Sequence, residues 1–335
     1  MRIAVIGAGA IGALVAGYLK IKGEEVSLIA RPQAIKAIQK NGLEISGVRG
    51  EFDIPIPVSD RLDYRPNLLI LATKTQDIDE ALRQNLKFIP TLDILTTQNG
   101  VQADAIVAKY ARQDKIISSI VMFGATYLGP DKFMHNFEGS WIMGKPFAAN
   151  DEKVVQISEV LNKIFPVVVS DKIRGMKYLK IFVNANNCIP AILGLSMREA
   201  FSESDTSRIS IAIWKEGLNV MQKAGIGLVS LPDFPLERLM KLTSIPIVEG
   251  AKIFSGIMQG LSKEPLYGSI LQSIKRGKLS EIDYINGEFV SIAGKNGISA
   301  PLNKKLVEMV HLVEKTHKFF NKKELISEVE GLMNI

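Results

Sequence analysis

Ile3-Ala4-Val5-Ile6-Gly7-Ala8-Gly9-Ala10-Ile11-Gly12 decides how this chain is read. Four apolar residues in a row read as a buried strand, and Ala10 to Lys20 reads as a helix. Between them the glycines follow the spacing G-x-G-x-x-G, and each has a physical task. Gly7 permits the tight turn out of the strand. Gly9 has no Cβ, so the backbone can approach a pyrophosphate. Gly12 lets the helix pack close against the sheet. The helix N-terminus behind them offers free N–H groups and the positive end of a dipole. A tight turn with no ligand is the plainer reading of such a loop. Its position after a strand, at the opening of a helix and at the head of an alternating chain favours phosphate. Gly7, Ala8, Gly9, Ala10, Ile11 and Gly12 are therefore candidate cofactor-binding residues.

Working outward, short apolar runs alternate with helical patterns. Val26–Ala30, Leu68–Ala72, Ile94–Thr97 and Pro166–Val169 read as strands. Pro32–Lys40, Ile78–Leu86, Ala103–Tyr110 and Glu152–Ile164 read as helices. Leu43–Ser46 with Glu51–Pro57 looks like a small hairpin, and Ile116–Thr126 with Phe133–Met143 like a further strand pair. Such alternation implies a parallel sheet covered on both faces. After about Ser170 long helical patterns take over: Lys177–Leu193, Asp205–Ala224, Leu236–Ile253, Ser280–Gly294 and Pro301–Phe320. The expected fold is α/β: a doubly wound parallel sheet in residues 1–168, followed by an all-helical C-terminal domain in residues 169–335. Ile3–Leu19 carries no charge and invites reading as a signal peptide. Its spaced glycines and direct continuation into another strand argue against that. No later stretch of about twenty apolar residues is free of charge. The expectation is a soluble, cytoplasmic protein with no membrane span.

Composition narrows the function. At about 150 residues per domain, 335 residues suggest two domains. The chain is 47% hydrophobic, enough for real cores. The single cysteine, Cys188, excludes an internal disulfide framework and a cysteine-rich zinc site, and it suits a reducing cytosol. His135, His311 and His317 are scattered, so no metal site is expected. The net charge of +6 is spread without blocks or basic–aromatic stripes. Nucleic acid is therefore not the expected partner, and the charge points to a small anionic one.

Three positions lie beyond sheet strands, where ligands of open parallel sheets bind. Arg31 stands where folds of this kind usually carry the acid that holds a ribose 2′-hydroxyl. A guanidinium there suits a 2′-phosphate, so NADP(H) is expected over NAD(H); the bland alternative is a solvated surface arginine. Lys74 follows Leu68–Thr73 and could bind phosphate or ribose. Asn99-Gly100 follows Ile94–Gln98 and is either a site loop or an ordinary turn.

In the second half, Lys180, Asn184, Asn187 and Cys188 fall within about one-third of a helical turn on a wheel. Ile181, Phe182, Val183, Ile189 and Ile192 make the other faces apolar. A buried helix with one stripe of lysine and amides needs partners for them. A bound polar substrate would supply these, or the stripe reaches solvent at a helix edge. Pro190 is expected to kink the helix beyond the stripe. Further on, Ser280 and Asp283 look like a capping box, with Glu281 as an acid in a first helical turn.

Taken together, Gly7–Gly12, Arg31, Lys74, Asn99, Lys180, Asn184, Ser269 and Glu281 resemble the ketopantoate reductases (2-dehydropantoate 2-reductases) along nearly the whole chain. The most distinctive parts are Lys180-x-x-x-Asn184 and the stretch from Ser269 through Glu281-Ile282-Asp283-Tyr284-Ile285-Asn286-Gly287. The resemblance implies an N-terminal Rossmann domain, a helical C-terminal domain and an active site between them. It implies NADPH-dependent reduction of 2-dehydropantoate to pantoate, on the route to pantothenate and coenzyme A. By position, Lys180 resembles the general acid and Glu281 the carboxylate that holds substrate and lysine. Ser269 resembles a substrate-binding residue. Asn99 resembles an asparagine near nicotinamide and substrate, and Asn184 the first of two substrate-binding helix amides. The second amide falls at Cys188, with Asn187 as the neighbouring candidate. Tyr178 stands where tryptophan is frequent, and Val101-Gln102 lacks the second glycine of many members. These departures leave the reaction class intact and bear on which 2-keto acid is accepted.

The chemistry is coherent. Hydride delivery to C2 of a 2-keto acid leaves an alkoxide, which a nearby ammonium can stabilise and protonate. Alternatives of the same layout are an NADP-dependent reductase of another 2-keto acid and a non-catalytic NADP(H)-binding regulator. For assembly, a homodimer is the prior expectation.

Overall fold

The uncharged head of the chain folds into strand β1 (Arg2–Ile6) and helix α1 (Ala10–Ile21). The computed structural model describes residues 1–260 and 265–333. The chain divides into two compact units, Met1–Lys177 and Tyr178–Ile335. This division lies beyond residue 168, where the helical patterning sets in. The side chain of Lys177 explains part of the difference, because it is buried within the first unit against Asp104.

In the first unit the chain continues through β2 (Glu25–Ile29), α2 (Pro32–Asn41), β3 (Leu43–Gly47), β4 (Phe52–Ile54) and β5 (Val58–Ser59). It then forms β6 (Leu68–Leu71), α3 (Ile78–Gln84), β7 (Ile94–Thr96), α4 (Ala103–Val107), β8 (Ile116–Val121) and β9 (Gly124–Tyr127). The last elements are β10 (Lys132–Phe137), β11 (Trp141–Gly144), α5 (Glu152–Leu161) and β12 (Val167–Val169). The main sheet has the order β12-β11-β8-β7-β6-β1-β2-β5. Its pairings are parallel except β11 on β8. The chain runs from β1 out to β5, then returns to β6 on the other side of β1. That reversal is the topological switch point of a doubly wound sheet.

Alternation within the strands fills both faces of this sheet. Ile3, Val5, Leu68 and Ile70 pack on the α1 face, while Ala4, Ile6, Leu69 and Leu71 pack toward Ile78 and Leu82 of α3. Each fully buried aliphatic side chain is worth about 1.5–3 kcal/mol. A second sheet, β4-β3-β10-β9, covers the far side of α1. Every residue of α1 from Gly12 to Leu19 is consequently buried. Gly17 has no room for a side chain: a Cβ would stand 2.5 Å from Cδ1 of Ile45. Coverage on two sides is why this stretch carries no charge and imitates a signal peptide.

The run pairs expected at Ile116–Thr126 and Phe133–Met143 are resolved differently. Each run is cut in two. Its halves join different sheets, with β8 pairing β11 in the main sheet and β9 pairing β10 in the second. The crossover is tight at Gly139, whose Cβ would lie 2.4 Å from the Met122 carbonyl oxygen. Glycine spacing carries this split, whereas hydrophobic periodicity does not.

Helix α6 (Ile173–Ala185) leads into the second unit, followed by α7 (Cys188–Leu193), α8 (Met197–Ala200), α9 (Ser204–Lys223) and α10 (Leu236–Ser244). The remaining helices are α11 (Ile247–Gln259), α12 (Ser269–Lys275), α13 (Asn286–Lys295), α14 (Pro301–Thr316) and α15 (Lys322–Val329). Among the described residues of this unit, the only strand-like pairing is the bridge Leu231–Phe234. Pro246 splits the expected helix 236–253 into α10 and α11. Trp214 of α9 packs edge-on against Phe254, and Phe182 against Phe289. The Trp214 indole N–H donates to the Phe182 carbonyl at 2.8 Å, satisfying an acceptor near the end of α6. The buried carboxylate of Glu216 accepts the backbone N–H groups of Leu302 and Asn303, capping the start of α14.

Candidate active site

The turn from β1 into α1 is shaped by its glycines. Gly7 has φ +114°, and a Cβ on it would lie 2.7 Å from the Ala72 carbonyl. A Cβ on Gly12 would lie 2.0 Å from the Gly7 carbonyl oxygen, whereas one on Gly9 would meet nothing within 4 Å. Strand β1, its neighbour β6 and the start of α1 therefore close around Gly7 and Gly12 and leave Gly9 open. Ala8, Gly9 and Ala10 present backbone there at a helix start with no side-chain cap. The Thr73 hydroxyl oxygen, beside Gly7, is buried with no hydrogen-bond partner. An open backbone cradle with an orphaned hydroxyl beside it fits a phosphate-bearing group.

Arg31, Lys74 and Asn99 follow β2, β6 and β7, whose order around β1 brings their C-terminal ends side by side. Arg31 precedes α2 and pairs with Asp77 at 3.3 Å; its side chain is 70% exposed. An exposed pair is worth about 0–1 kcal/mol, so Asp77 orients the guanidinium without locking it away from a phosphate. Lys74 is half-buried before the short turn Thr75–Asp77. Asn99 precedes Gly100, whose φ of +77° makes the turn. Gln98 was not singled out by its sequence context, yet it fixes this loop. Its amide donates to the carbonyls of Leu71 and Thr73 at 2.8 and 2.9 Å. Asp104 is a second residue that spacing does not reveal. Its buried carboxylate accepts from Thr96 and Ser118 at 2.6 Å and faces Lys177 at 3.4 Å.

In the second unit the stripe from Lys180 to Cys188 does not run along one helix. Helix α6 ends at Ala185, and the break at Asn186-Asn187 comes before Pro190 rather than after it. The proline ring excludes the carbonyl four residues earlier, that of Asn186, and has no N–H to give it. Lys180 and Asn184 therefore share α6, while Cys188 starts α7.

Lys180 keeps part of its surface accessible. The protein packed around it strips water from the ammonium, and this desolvation lowers the pKa from 10.5 to about 8. Asp233, in the turn before α10, partly offsets the shift. Asp233 is a further residue that spacing alone did not reveal. Cys188 is fully buried, and burial pushes its thiol up to about 12. Its side-chain partner is Asn286 of α13, whose amide donates to Asn303 at 3.0 Å. Asn187 packs on Gly268, where a Cβ would lie 3.2 Å from its amide carbon. This places Asn187 beside the start of α12, where Ser269 is exposed. Asn186 is buried with neither side-chain polar atom partnered.

The capping box expected from Ser280 and Asp283 is not formed. Glu281 enters a short turn, Ile282–Tyr284. The Ser280 N–H donates to Glu314 at 2.7 Å, and its hydroxyl accepts from Ile282 N–H at 3.3 Å. Asp283 instead faces His311 at 2.9 Å. Tertiary contacts from α14 compete successfully with the local cap.

A doubly wound unit with a glycine cradle, joined to a helical unit carrying a desolvated lysine, is the arrangement expected of a dinucleotide-dependent oxidoreductase. Comparison with known proteins agrees. Residues 3–146 match the family described as Ketopantoate reductase PanE/ApbA, and residues 172–314 match its C-terminal region. A 2-dehydropantoate 2-reductase of Pyrococcus horikoshii is 30% identical over 316 residues, covering 94% of this chain and 98% of that protein. The ternary structure of a D-mandelate dehydrogenase with NADH and anilino(oxo)acetate superposes with a TM-score of 0.80 at 25% identity. It covers 94% of this chain and 99% of that one. A PanE/ApbA family ketopantoate reductase from Ralstonia eutropha superposes at 0.78 and 23% identity, covering 94% and 99%. The chain belongs to the ketopantoate reductase family. It is an oxidoreductase acting on CH–OH groups of small molecules, in a family that uses a nicotinamide cofactor. No described helix is long and apolar enough to cross a membrane.

Proposed function

We propose that this chain reduces 2-dehydropantoate to pantoate with NADPH, with Lys180 as general acid, as a step toward pantothenate and coenzyme A. The observation that carries the reading is Lys180, a lysine desolvated by the protein packed around it on a largely apolar helix. Relatives named 2-dehydropantoate 2-reductase, matched over more than nine-tenths of the chain, support the choice of substrate. When bound, the dihydronicotinamide supplies hydride to the C2 carbonyl. The Gly7–Gly12 backbone would hold the pyrophosphate, Arg31 the 2′-phosphate, and Lys74 and Asn99 the ribose and nicotinamide end. Lys180 Nζ stabilises negative charge on the C2 oxygen and donates a proton to it. Glu281 holds substrate and lysine, Ser269 and Asn184 bind substrate, and Cys188 stands at the second amide position. The buried, unpaired cysteine suits a reducing cytoplasm. Light scattering is the test for a homodimer.

The lysine sets a pH signature. Its protonated form is the acid, and its pKa lies below the ordinary 10.5. The rate of keto-acid reduction should be level below pH 8 and fall about tenfold per unit above it. A profile level to pH 10 would remove Lys180 as the acid. The same shift makes the ammonium a cost to folding below pH 8, relieved as pH rises from 8 toward 10.5.

Cofactor choice gives a second test. Arg31→Ala should lower the ratio of kcat/KM for NADPH to that for NADH by roughly tenfold or more, since a charged hydrogen bond is worth about 1.5–3 kcal/mol. An unchanged ratio would return Arg31 to the solvated surface.

A second reading is reduction of a different 2-keto acid. The likeness to the D-mandelate dehydrogenase complex favours it, as does a cysteine in place of the second amide. Assays on 2-dehydropantoate beside phenylglyoxylate separate the two readings.

A further inference from the structure

Glu281 sits in a short stretch that is fastened to α14 on both sides. Before it, the Ser280 backbone N–H donates to Glu314 Oε1 at 2.7 Å. After it, Asp283 Oδ1 faces His311 Nε2 at 2.9 Å. His311 and Glu314 are themselves joined, Nδ1 to Oε2 at 2.9 Å, three residues apart on one helix face. The Glu314 side chain is 5% exposed, so it has little freedom to reorient. The four groups make a continuous clasp: Ser280, Glu314, His311, Asp283. Closing it fixes the backbone on either side of Glu281, which itself adopts φ −105° and ψ 29° before the turn.

We infer that His311 and Glu314 are positioning residues for Glu281, holding the 280–284 turn so that this carboxylate meets the keto-acid substrate. The inference rests on the role proposed above for Glu281 and deepens it. Neither residue was connected with the site by sequence spacing, because His311 is thirty positions beyond Glu281.

The clasp needs a doubly protonated ring. Both imidazole nitrogens face carboxylates, and a carboxylate only accepts. An imidazolium donates to both, while a neutral ring leaves one nitrogen lone pair against an oxygen. Burial works to lower the His311 pKa, but hydrogen bonds to Asp283 and Glu314 outweigh it and raise the pKa above 6.5. Those two are the charged groups that bear on the ring, one from the turn and one from its own helix. The raised value means that the clasp is complete below pH 6.5 and loosens as pH rises through the folded-state value.

The test is steady-state kinetics of the full chain on 2-dehydropantoate with NADPH, for wild type, His311→Ala and Glu314→Gln. Glu314→Gln keeps an oxygen for the Ser280 N–H and loses the charge facing His311, so it serves if His311→Ala folds poorly. In wild type, KM for the keto acid should be lowest below pH 6.5 and rise as pH climbs through the raised folded-state value of His311. In His311→Ala it should be raised roughly tenfold at pH 6 and lose that pH dependence. NADPH affinity should stay within twofold in both variants. A role confined to stability would lower the melting temperature and leave KM and its pH profile as in wild type, and that result overturns the inference. Wild-type inactivity on 2-dehydropantoate would instead remove the reading on which it rests.

Discussion

Lys180→Met is expected to lower turnover by roughly 10²–10⁴-fold, the usual worth of a positioned general acid, while NADPH still binds. Methionine fills similar volume and has no proton to give. Desolvation has already taken the lysine from 10.5 to about 8, so the wild-type ammonium is a stronger acid than a surface lysine. It is also costlier to bury, so its removal should not destabilise the fold. Loss of turnover with an equal or higher melting temperature identifies a chemical role. Turnover within about threefold of wild type would place the proton source elsewhere. The basic limb near pH 8 should vanish from whatever activity remains.

The glycine loop predicts a contrast rather than a single loss. Gly12→Ala places a Cβ 2.0 Å from a backbone oxygen that has nowhere to move. Overpacking of this kind costs about 1–3 kcal/mol or more, so a large drop in melting temperature is expected. Gly9→Val puts its Cβ where nothing lies within 4 Å, so stability should fall by only about 1 kcal/mol, the cost of a poorer N-cap. The added carbons occupy the approach of the pyrophosphate, and NADPH affinity should fall by roughly 10²-fold. Thermal unfolding and NADPH titration on both variants test this. A Gly9→Val variant that binds NADPH normally would contradict the phosphate cradle.

Much of this molecule is legible in the sequence, for physical reasons that can be named. The alternation of Ile3-Ala4-Val5-Ile6 with glycine and helix reports a central strand because both faces must be filled. The change to long helical patterns reports the second unit. Three features are written in contacts between distant residues and escape local reading. The split of 116–126 and 133–143 between two sheets turns on close approach at Gly139. The break before Pro190 separates Cys188 from the Lys180 helix, which a continuous wheel cannot show. Ser280 and Asp283 satisfy the local capping pattern, yet Glu314 and His311 take both groups. Of the candidate residues, Arg31, Lys74 and Asn99 could be nominated from the sequence because strand ends are where ligands of open parallel sheets bind. Asp233, Gln98 and His311 act through pairings that no spacing predicts.

The break at Asn186-Asn187 also changes how the cysteine is viewed. A thiol held at about 12, beside Asn286 in a buried amide chain, is an internal neighbour first. Asn187, by contrast, packs on Gly268 next to Ser269.

NADPH oxidation followed with purified protein, 2-dehydropantoate and two or three close 2-keto acids tests the proposed activity most directly. Rapid oxidation with 2-dehydropantoate, and kcat/KM at least tenfold above that for the other acids, is the predicted result. Faster turnover of an aryl 2-keto acid, or oxidation of none of them, would contradict it.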